Sequence, residues 1–374
     1  MNTNNKSNPN IIEPDLHLVA WEITRRCNLF CAHCRARAED HQYENELSLQ
    51  ECFSLIDEIK KVGSPILILT GGEPLMRPDF MQIARYGVSK NLRVVLGSNG
   101  TLITRELAQE MKQIPISRIA VSIDFPTAEE QDEFRGKHGA FQEALNGIRN
   151  AREAGIEIQI NCTVTKLNVK LLPDLLKLSI DAGASAFHPF LLVPTGRGKS
   201  LAEQELSPQE YEDTLNWIYD KQMEIGDSFF FKPTDAPHYM RILKQRQKES
   251  VHESTAAHPF KSPMQRITRG CLAGTGFCFI SNTGRVQGCG YLDVEAGNVR
   301  KQPFSQIWVE STLFKQLRDL SNIKGKCGIC EYKRICGGCR ARAYEATGDY
   351  LEAEPHCLYE PSHLLTDDAN RKDQ

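Results

Sequence analysis

At 374 residues, 40 % of them hydrophobic and 25 % charged, the chain has ordinary globular composition and length enough for two or three domains with a sizeable core. Its 45 Lys and Arg nearly balance 48 Asp and Glu, and the net charge of -3 excludes the basic footprint of a generic nucleic-acid binder. No apolar run approaches the roughly 18 residues of a membrane span, and the polar, Asn-rich Met1–Asn10 lacks the apolar core of a signal peptide, so a soluble, cytoplasmic protein is expected.

Residues 1–15 read as a flexible tail. From His17 a short β-branched or apolar run, a turn and an amphipathic helix recur. The expected strands are His17–Ile23, Pro65–Thr70, Arg93–Gly97, Arg118–Ile123, Glu157–Thr163 and Ala186–Val193. The expected helices are Ser48–Val62, Asp79–Ser89, Arg105–Gln113, Phe141–Ala154, Lys170–Ala182 and Pro208–Met223. Ser48, Thr104 and Ser207 stand where N-caps belong, Gly155 and Gly183 where helices end. Strand–helix alternation implies a parallel sheet, with too few units for a closed eight-stranded barrel, so an open partial barrel and a doubly wound sheet both fit residues 16–250. A polar stretch, Lys248–Thr255, precedes a change of rhythm: residues 256–360 have short elements, many Gly and eight Cys, the mark of a region organised by metal. Residues 361–374 read as a second flexible tail.

Thirteen cysteines without an export signal point to metal ligands rather than disulfides. Cys27, Cys31 and Cys34 form C-x3-C-x2-C on the loop after the first strand, at the strand end where parallel α/β folds gather their active sites. Three thiolates can hold three corners of a [4Fe–4S] cluster and leave one iron open to a small molecule. A zinc site using Cys27, Cys31, Cys34 and His33 is the alternative. The other strand ends carry Gly71-Gly72-Glu73, Ser98-Asn99-Gly100, Ser122 with Asp124 and then Arg135, Asn161 with Thr163, and Thr195-Gly196-Arg197. Each alone is a common turn; together they present polar or Gly-rich residues to one rim. Downstream, Cys271, Cys278, Cys289, Cys327, Cys330, Cys336, Cys339 and Cys357 make two sets of four, fit for zinc or for iron–sulfur clusters. Cys52 and Cys162 lie in a helix and a strand and read as packed small apolar residues.

On the C-x3-C-x2-C loop and Gly71-Gly72-Glu73, residues 16–225 resemble the radical SAM enzymes. The resemblance implies a partial (β/α)6 barrel. It implies that Cys27, Cys31 and Cys34 bind a [4Fe–4S] cluster whose open iron chelates S-adenosylmethionine. His33 would then sit near the adenine, and Gly71, Gly72 and Glu73 would hold the methionine amino group. Ser98, Asn99, Ser122 and Asp124 would line the rest of the cofactor, Arg135 would pair its carboxylate, and Asn161 and Thr195 would share the rim. The C-terminal cysteines resemble the SPASM domain, with Gly284 in its place five residues before Cys289. That resemblance implies one auxiliary cluster on Cys271, Cys278, Cys289 and Cys339 and another on Cys327, Cys330, Cys336 and Cys357. The short C336-x2-C339 and C278-x10-C289 spacings depart from the pattern and leave one auxiliary cluster or two open.

Leu16–Cys27, Phe190–Arg197, Ala236–Tyr239, Thr268–Gly274 and Cys336–Tyr344 resemble the haem synthases of the sirohaem-dependent pathway. This implies Fe-coproporphyrin III or a related tetrapyrrole as substrate, radical decarboxylation of two propionates, and an external electron donor and acceptor. Sister enzymes acting on didecarboxysirohaem or on haem d1 precursors, a SPASM peptide maturase, and a non-catalytic zinc or electron-transfer protein are the alternatives. Arg25, Arg26, Arg35, Arg37 and Arg197 are candidate carboxylate anchors. Phe187, Phe190, Phe229, Phe230, Phe231 and Tyr239 are candidate pocket walls. His188, His238 and Tyr239 are candidate axial or proton-transfer groups.

Overall fold

The computed structural model describes residues 8–251 and 269–362, so the tail ends and most of the polar stretch after Lys248 lie outside the described residues. The expected alternation forms. β1 (Leu18–Thr24), α1 (Leu49–Val62), β2 (Ile66–Gly71), α2 (Phe80–Ser89), β3 (Arg93–Ser98), α3 (Arg105–Gln113) and β4 (Arg118–Ser122) open it. α4 (Ala128–Arg135), α5 (Ala140–Glu153), β5 (Glu157–Val164), α6 (Leu172–Asp181), β6 (Ala186–Leu191) and α7 (Pro208–Ile225) continue it. Ser48 and Ser207 each make a reciprocal capping box with the Glu three residues on, and Thr104 accepts from the Leu107 backbone N–H. α4 was not expected. Its sequence AEEQDEFR has almost no apolar periodicity, because it buries Gln131, Phe134 and Arg135 toward the site rather than a greasy stripe toward the sheet.

β1 to β6 pair in parallel in sequential order, and β7 (Phe230–Phe231) adds in parallel beyond β6, making an open barrel rather than a doubly wound sheet. Along β3, β4 and β5, buried residues alternate with more exposed ones: Ile158, Ile160 and Cys162 against Gln159, Asn161 and Thr163 on β5, for example. The buried set faces the helices and forms the core. The half-buried set, which includes Thr70, Gly97, Ser122, Asn161, Thr163, His188 and Phe190, lines the concave face.

α8 (Tyr239–Val251) leads toward the C-terminal region. There β8 (Phe277–Ile280), β9 (Arg285–Cys289) and β10 (Leu292–Asn298) extend the same sheet, β8 lying parallel to β1 with Leu18 opposite Phe277. Four short helices follow, α9 (Phe304–Glu310), α10 (Thr312–Arg318), α11 (Gly325–Ile329) and α12 (Arg340–Thr347). Residues 8–15, expected within a flexible tail, are anchored instead. The Ile12 N–H donates to the Arg318 carbonyl at 2.8 Å and the Asp15 N–H to that of Thr275 at 2.9 Å, so this segment straps onto the C-terminal region. Among the described residues, no helix is long and apolar enough to cross a membrane.

Candidate active site

The Cys27–Cys34 loop leaves the end of β1 and is fixed from three sides. Gly71 and Gly72 press on its root: a Cβ on Gly71 would stand 2.3 Å from the Thr24 carbonyl oxygen, and one on Gly72 would stand 2.4 Å from that of Arg25. The glycines therefore permit an approach of chain to chain, sealed by N–H bonds from Gly72 to Thr24 and from Glu73 to Arg26, both 2.8 Å. From the far side, the Phe30 and Ala32 N–H groups donate to the carbonyls of Arg135 and Phe134 at the end of α4. Above it, Arg197 donates to the Cys31 carbonyl at 3.0 Å and the Ala38 carbonyl at 2.9 Å, and its guanidinium stacks on Phe30.

Each of the three sulfurs has an N–H donor. Leu29 reaches Cys27 and Ala38 reaches Cys34, both at 3.4 Å; Arg135 reaches Cys31 at 3.8 Å and Asn99 reaches Cys27 at 3.9 Å. Such donors stabilise thiolates and set cluster potentials, so the loop fits an iron–sulfur cluster. Without metal, burial pushes the Cys27 thiol up to about 12 and also raises Cys31. His33 does not join the sulfurs: its ring stacks on Phe134 at 4.7 Å with Nδ1 buried and unpartnered, and burial lowers its pKa to about 4. His33 therefore does not stand with the three sulfurs as the fourth ligand that the zinc alternative needs.

Glu73 is fully buried beside this loop. Its carboxylate accepts from the Ser98 hydroxyl at 2.9 and 3.0 Å, the Asn99 N–H at 2.8 Å and the Leu75 N–H at 3.1 Å. Burial nevertheless outweighs these donors and raises its pKa to about 7. Asp124 and Arg135, expected to face the cofactor separately, pair with each other while both are buried, and the Thr163 N–H holds the other Asp124 oxygen at 2.7 Å. The pair fixes Arg135 above Cys31. Ser122 stands on the concave face next to Asn161 in register. Thr195 is buried where the chain leaves β6.

The candidate arginines split by partner. Arg25 and Arg35 both pair with Glu22, a fully buried carboxylate of β1, and Arg35 stacks at 4.4 Å on Phe279 of β8. Arg26 pairs with exposed Asp40 at 2.7 Å, and exposed Arg37 reaches the Gly196 carbonyl. Of the aromatics, Phe187, Phe229, Phe231 and Tyr239 are core residues, not pocket walls: all four are buried in the main apolar core, with Phe187 stacked on Phe231. Phe190 and His188 stand on the concave face; Gln159 bridges His188 Nδ1 at 3.2 Å and Asn161 at 2.7 Å, while His188 Nε2 is buried without a partner.

The C-terminal cysteines gather in two groups. Cys327, Cys330, Cys336 and Cys357 line one open pocket with His238, Arg241 and Glu354. Backbone N–H groups of Glu354, Tyr332 and Gly338 each lie 3.4 Å from the sulfurs of Cys327, Cys330 and Cys336 in turn, the same thiolate-stabilising pattern as on the first loop. His238 therefore belongs to this cavity and not to the barrel rim. Cys271, Cys289 and Cys339 form the other group: the Cys271 N–H bonds to the Cys336 carbonyl at 3.0 Å, and Cys271 and Cys339 lie near enough to Cys289 to help raise its pKa. Cys278 is the fourth cysteine expected in this set. It lies opposite Val19 on the helix-facing side of β8, wholly buried in the core. Arg318 is the one charged group acting on it among the described residues.

Four residues that matter here were not singled out from the sequence. Glu22 anchors two arginines. Tyr291, half-buried, stands near enough to Asp235, Arg35, Cys289 and Cys34 for their charges to bear on it, between the two cysteine regions. Arg342 of α12 is fully buried, binds Glu205 at 2.8 Å and donates to the carbonyls of Leu191, Leu192 and Asp235. It clamps the end of β6 to the C-terminal region. Asp235 lies beside the Cys271 group, and burial raises its pKa to about 7.

A cysteine loop with an open cluster position, at the carboxyl end of a six-stranded parallel open barrel and beside a buried Gly-Gly-Glu carboxylate, defines a class. Residues 21–179 match the model of the radical SAM superfamily, and residues 271–340 that of the SPASM iron–sulfur cluster-binding domain. The AdoMet-dependent heme synthase of Nitratidesulfovibrio vulgaris is 50 % identical over 94 % of each chain. The Fe-coproporphyrin III synthase of Methanosarcina barkeri is 33 % identical over 91 % of this chain and 87 % of that one. The crystal structure of Streptococcus suis SuiB bound to precursor peptide SuiA shares the fold, with a TM-score of 0.72 over 93 % of this chain and 77 % of that one at 16 % identity. The chain belongs to the radical SAM superfamily and carries a C-terminal SPASM domain. Its cofactors are S-adenosylmethionine and [4Fe–4S] clusters.

Proposed function

We propose that this enzyme completes haem, converting two propionates of Fe-coproporphyrin III to vinyl groups by oxidative decarboxylation. The observation that carries the substrate is the 50 % identity, end to end, with a heme synthase, against 33 % with a sister tetrapyrrole enzyme. When bound, the reduced cluster and S-adenosylmethionine supply a 5′-deoxyadenosyl radical able to take a hydrogen atom from a propionate β-carbon. Each propionate then loses CO2 and one electron as its vinyl group forms. An external donor supplies the reducing electron and an external acceptor receives the one released.

The protein's share is placement and exclusion of water. Cys27, Cys31 and Cys34 hold the cluster from a loop that Arg197, Arg135 and the Gly71-Gly72 contact keep rigid. Glu73, Ser98 and Asn99 receive the methionine end of the cofactor. Asn161, His188 and Phe190 line the concave face toward the macrocycle. Arg25, Arg26 and Arg37 are the more exposed of the candidate cations at the rim and the ones offered to propionates, whereas Arg35 and Arg197 lie further inside.

An anaerobic assay tests this, with reconstituted protein, S-adenosylmethionine, reductant and Fe-coproporphyrin III followed by mass spectrometry. Two successive losses of about 46 mass units (CO2 plus two hydrogens), with 5′-deoxyadenosine formed, are expected. Formation of 5′-deoxyadenosine with the porphyrin unchanged overturns the substrate and leaves the radical chemistry standing.

A further inference from the structure

We infer that the cluster held by Cys271, Cys289 and Cys339 takes the carboxylate of Asp235, not the thiol of Cys278, as its fourth protein ligand. This rests on reading that cysteine group as an auxiliary iron–sulfur site.

Chain geometry brings Asp235 to the three thiols. Gly270, next to Cys271, packs so closely on Pro237 that a Cβ there would stand 2.5 Å from the Pro237 carbonyl oxygen. Arg342, three residues after Cys339, donates to the Asp235 carbonyl at 3.1 Å, and the Tyr211 hydroxyl donates to the same oxygen at 3.2 Å. Residues 235–237 are thus wedged between the segments that carry Cys271 and Cys339. Asp235 is held there in a left-handed backbone conformation, φ +58°. Its backbone oxygen has two donors, yet its carboxylate Oδ2 is buried with none. A buried carboxylate oxygen without a partner is costly, and an iron ion is the kind of partner that would satisfy it. The carboxylate is also the largest charge acting on Cys289 and a further one acting on Cys339.

Cys278 fails on the same grounds. Strand alternation turns it to the helix side, level with Val19. The neighbouring position, Phe279, faces the concave side and is covered by Arg35. Six residues separate Cys278 from Cys271, and rotation of the β8 strand to expose the thiol would drive Phe279 into the core.

The test uses the full-length protein, anaerobically reconstituted with iron and sulfide, carrying Cys27→Ala, Cys31→Ala and Cys34→Ala to silence the loop cluster. Iron and sulfide per chain, the electron paramagnetic resonance spectrum after dithionite reduction, and the midpoint potential are read. Cys271→Ala is expected to lose about four irons per chain. Cys278→Ala is expected to keep full iron content and an unchanged spectrum. Asp235→Ala is expected to keep most of the iron, with shifted g-values and a more positive midpoint, because a negative ligand is gone. Asp235→Cys closes the site again and should give the spectrum of an all-thiolate cluster, distinct from that of the parent. A spectrum unmoved in either Asp235 variant, or loss of about four irons in Cys278→Ala, overturns the assignment. Unchanged iron content in Cys271→Ala overturns the cluster reading of this site, and the ligand with it.

Discussion

The two cysteine regions reach similar sulfur chemistry by opposite routes. The loop after β1 hangs on a scaffold that needs no metal: capped helices, parallel strands in sequential order, and Arg197, which donates to the Cys31 and Ala38 carbonyls and stacks on Phe30. In the C-terminal region the chain between Cys327 and Cys357 has two helices of five and eight residues, and the turn Cys336–Cys339 runs through two left-handed glycines, φ +80° and +61°. Its side-chain groups converge on sulfur and on one buried arginine rather than on an apolar core. The comparison teaches that the first site is a cofactor placed on a finished fold, whereas the second is a fold completed by its cofactors.

The largest expected effect separates the two. Cys31→Ala should abolish 5′-deoxyadenosine formation, by at least about 10³-fold, while leaving thermal unfolding nearly unchanged. Cys330→Ala should do the reverse. Unfolding should shift down and limited proteolysis should cut within residues 325–362, while some uncoupled cofactor cleavage survives. Equal melting curves for the two variants would erase the distinction. Next in size is the joint between the regions. Arg342→Met leaves Glu205, Glu354 and three carbonyls without their cation inside the protein, at a cost of about 3–5 kcal/mol. The measurement is denaturant unfolding, and a loss under about 1 kcal/mol would show that the regions do not depend on this clamp.

Both regions also bury a carboxylate, and the pair differs in satisfaction. Glu73 has donors on both oxygens, whereas Asp235 Oδ2 has none. Burial still holds Glu73 at about 7 against an ordinary 4.5. Since its folded value lies above its unfolded one, the stabilising difference is complete below pH 4.5 and is lost as pH rises through 7, for a total of about 3 kcal/mol in the cofactor-free protein. Glu73→Gln should flatten that part of the stability–pH curve and weaken S-adenosylmethionine binding. An unchanged curve would mean that Glu73 is ionised throughout.

Much of the barrel was legible because its signals are local. N-caps, strand-length apolar runs and glycines past helix ends mark each unit, and the strand-end residues fall on one rim once the strands are parallel. Pairing across distance was not legible. Glu22 reads as a polar strand residue until Arg25 and Arg35 are seen on it. Asp124 and Arg135 are two separate candidates until the end of α4 brings them together. Cys278 counts as a ligand by spacing alone, but its direction depends on which face of β8 meets β1. The strap of residues 8–15 carries no periodic signal, since its hydrogen bonds run to Arg318 and Thr275, hundreds of positions away.

The smallest effect sharpens the contrast from the scaffold side. Ser48 accepts from the Glu51 N–H and receives the Glu51 carboxylate on its own N–H, closing α1 against the root of the cysteine loop. Ser48→Ala removes one side of that box and should cost about 1 kcal/mol. Glu51 keeps a second partner, Arg300, which also donates to the Asn45 and Glu46 carbonyls, so the segment leading into α1 stays tied to the C-terminal region. A stability loss of that size with unchanged cofactor cleavage is therefore expected, measured by thermal unfolding beside the 5′-deoxyadenosine assay. Cleavage falling together with stability would instead mean that the loop's geometry depends on the start of α1, and that the first region is less independent of its surroundings than its hydrogen bonds imply.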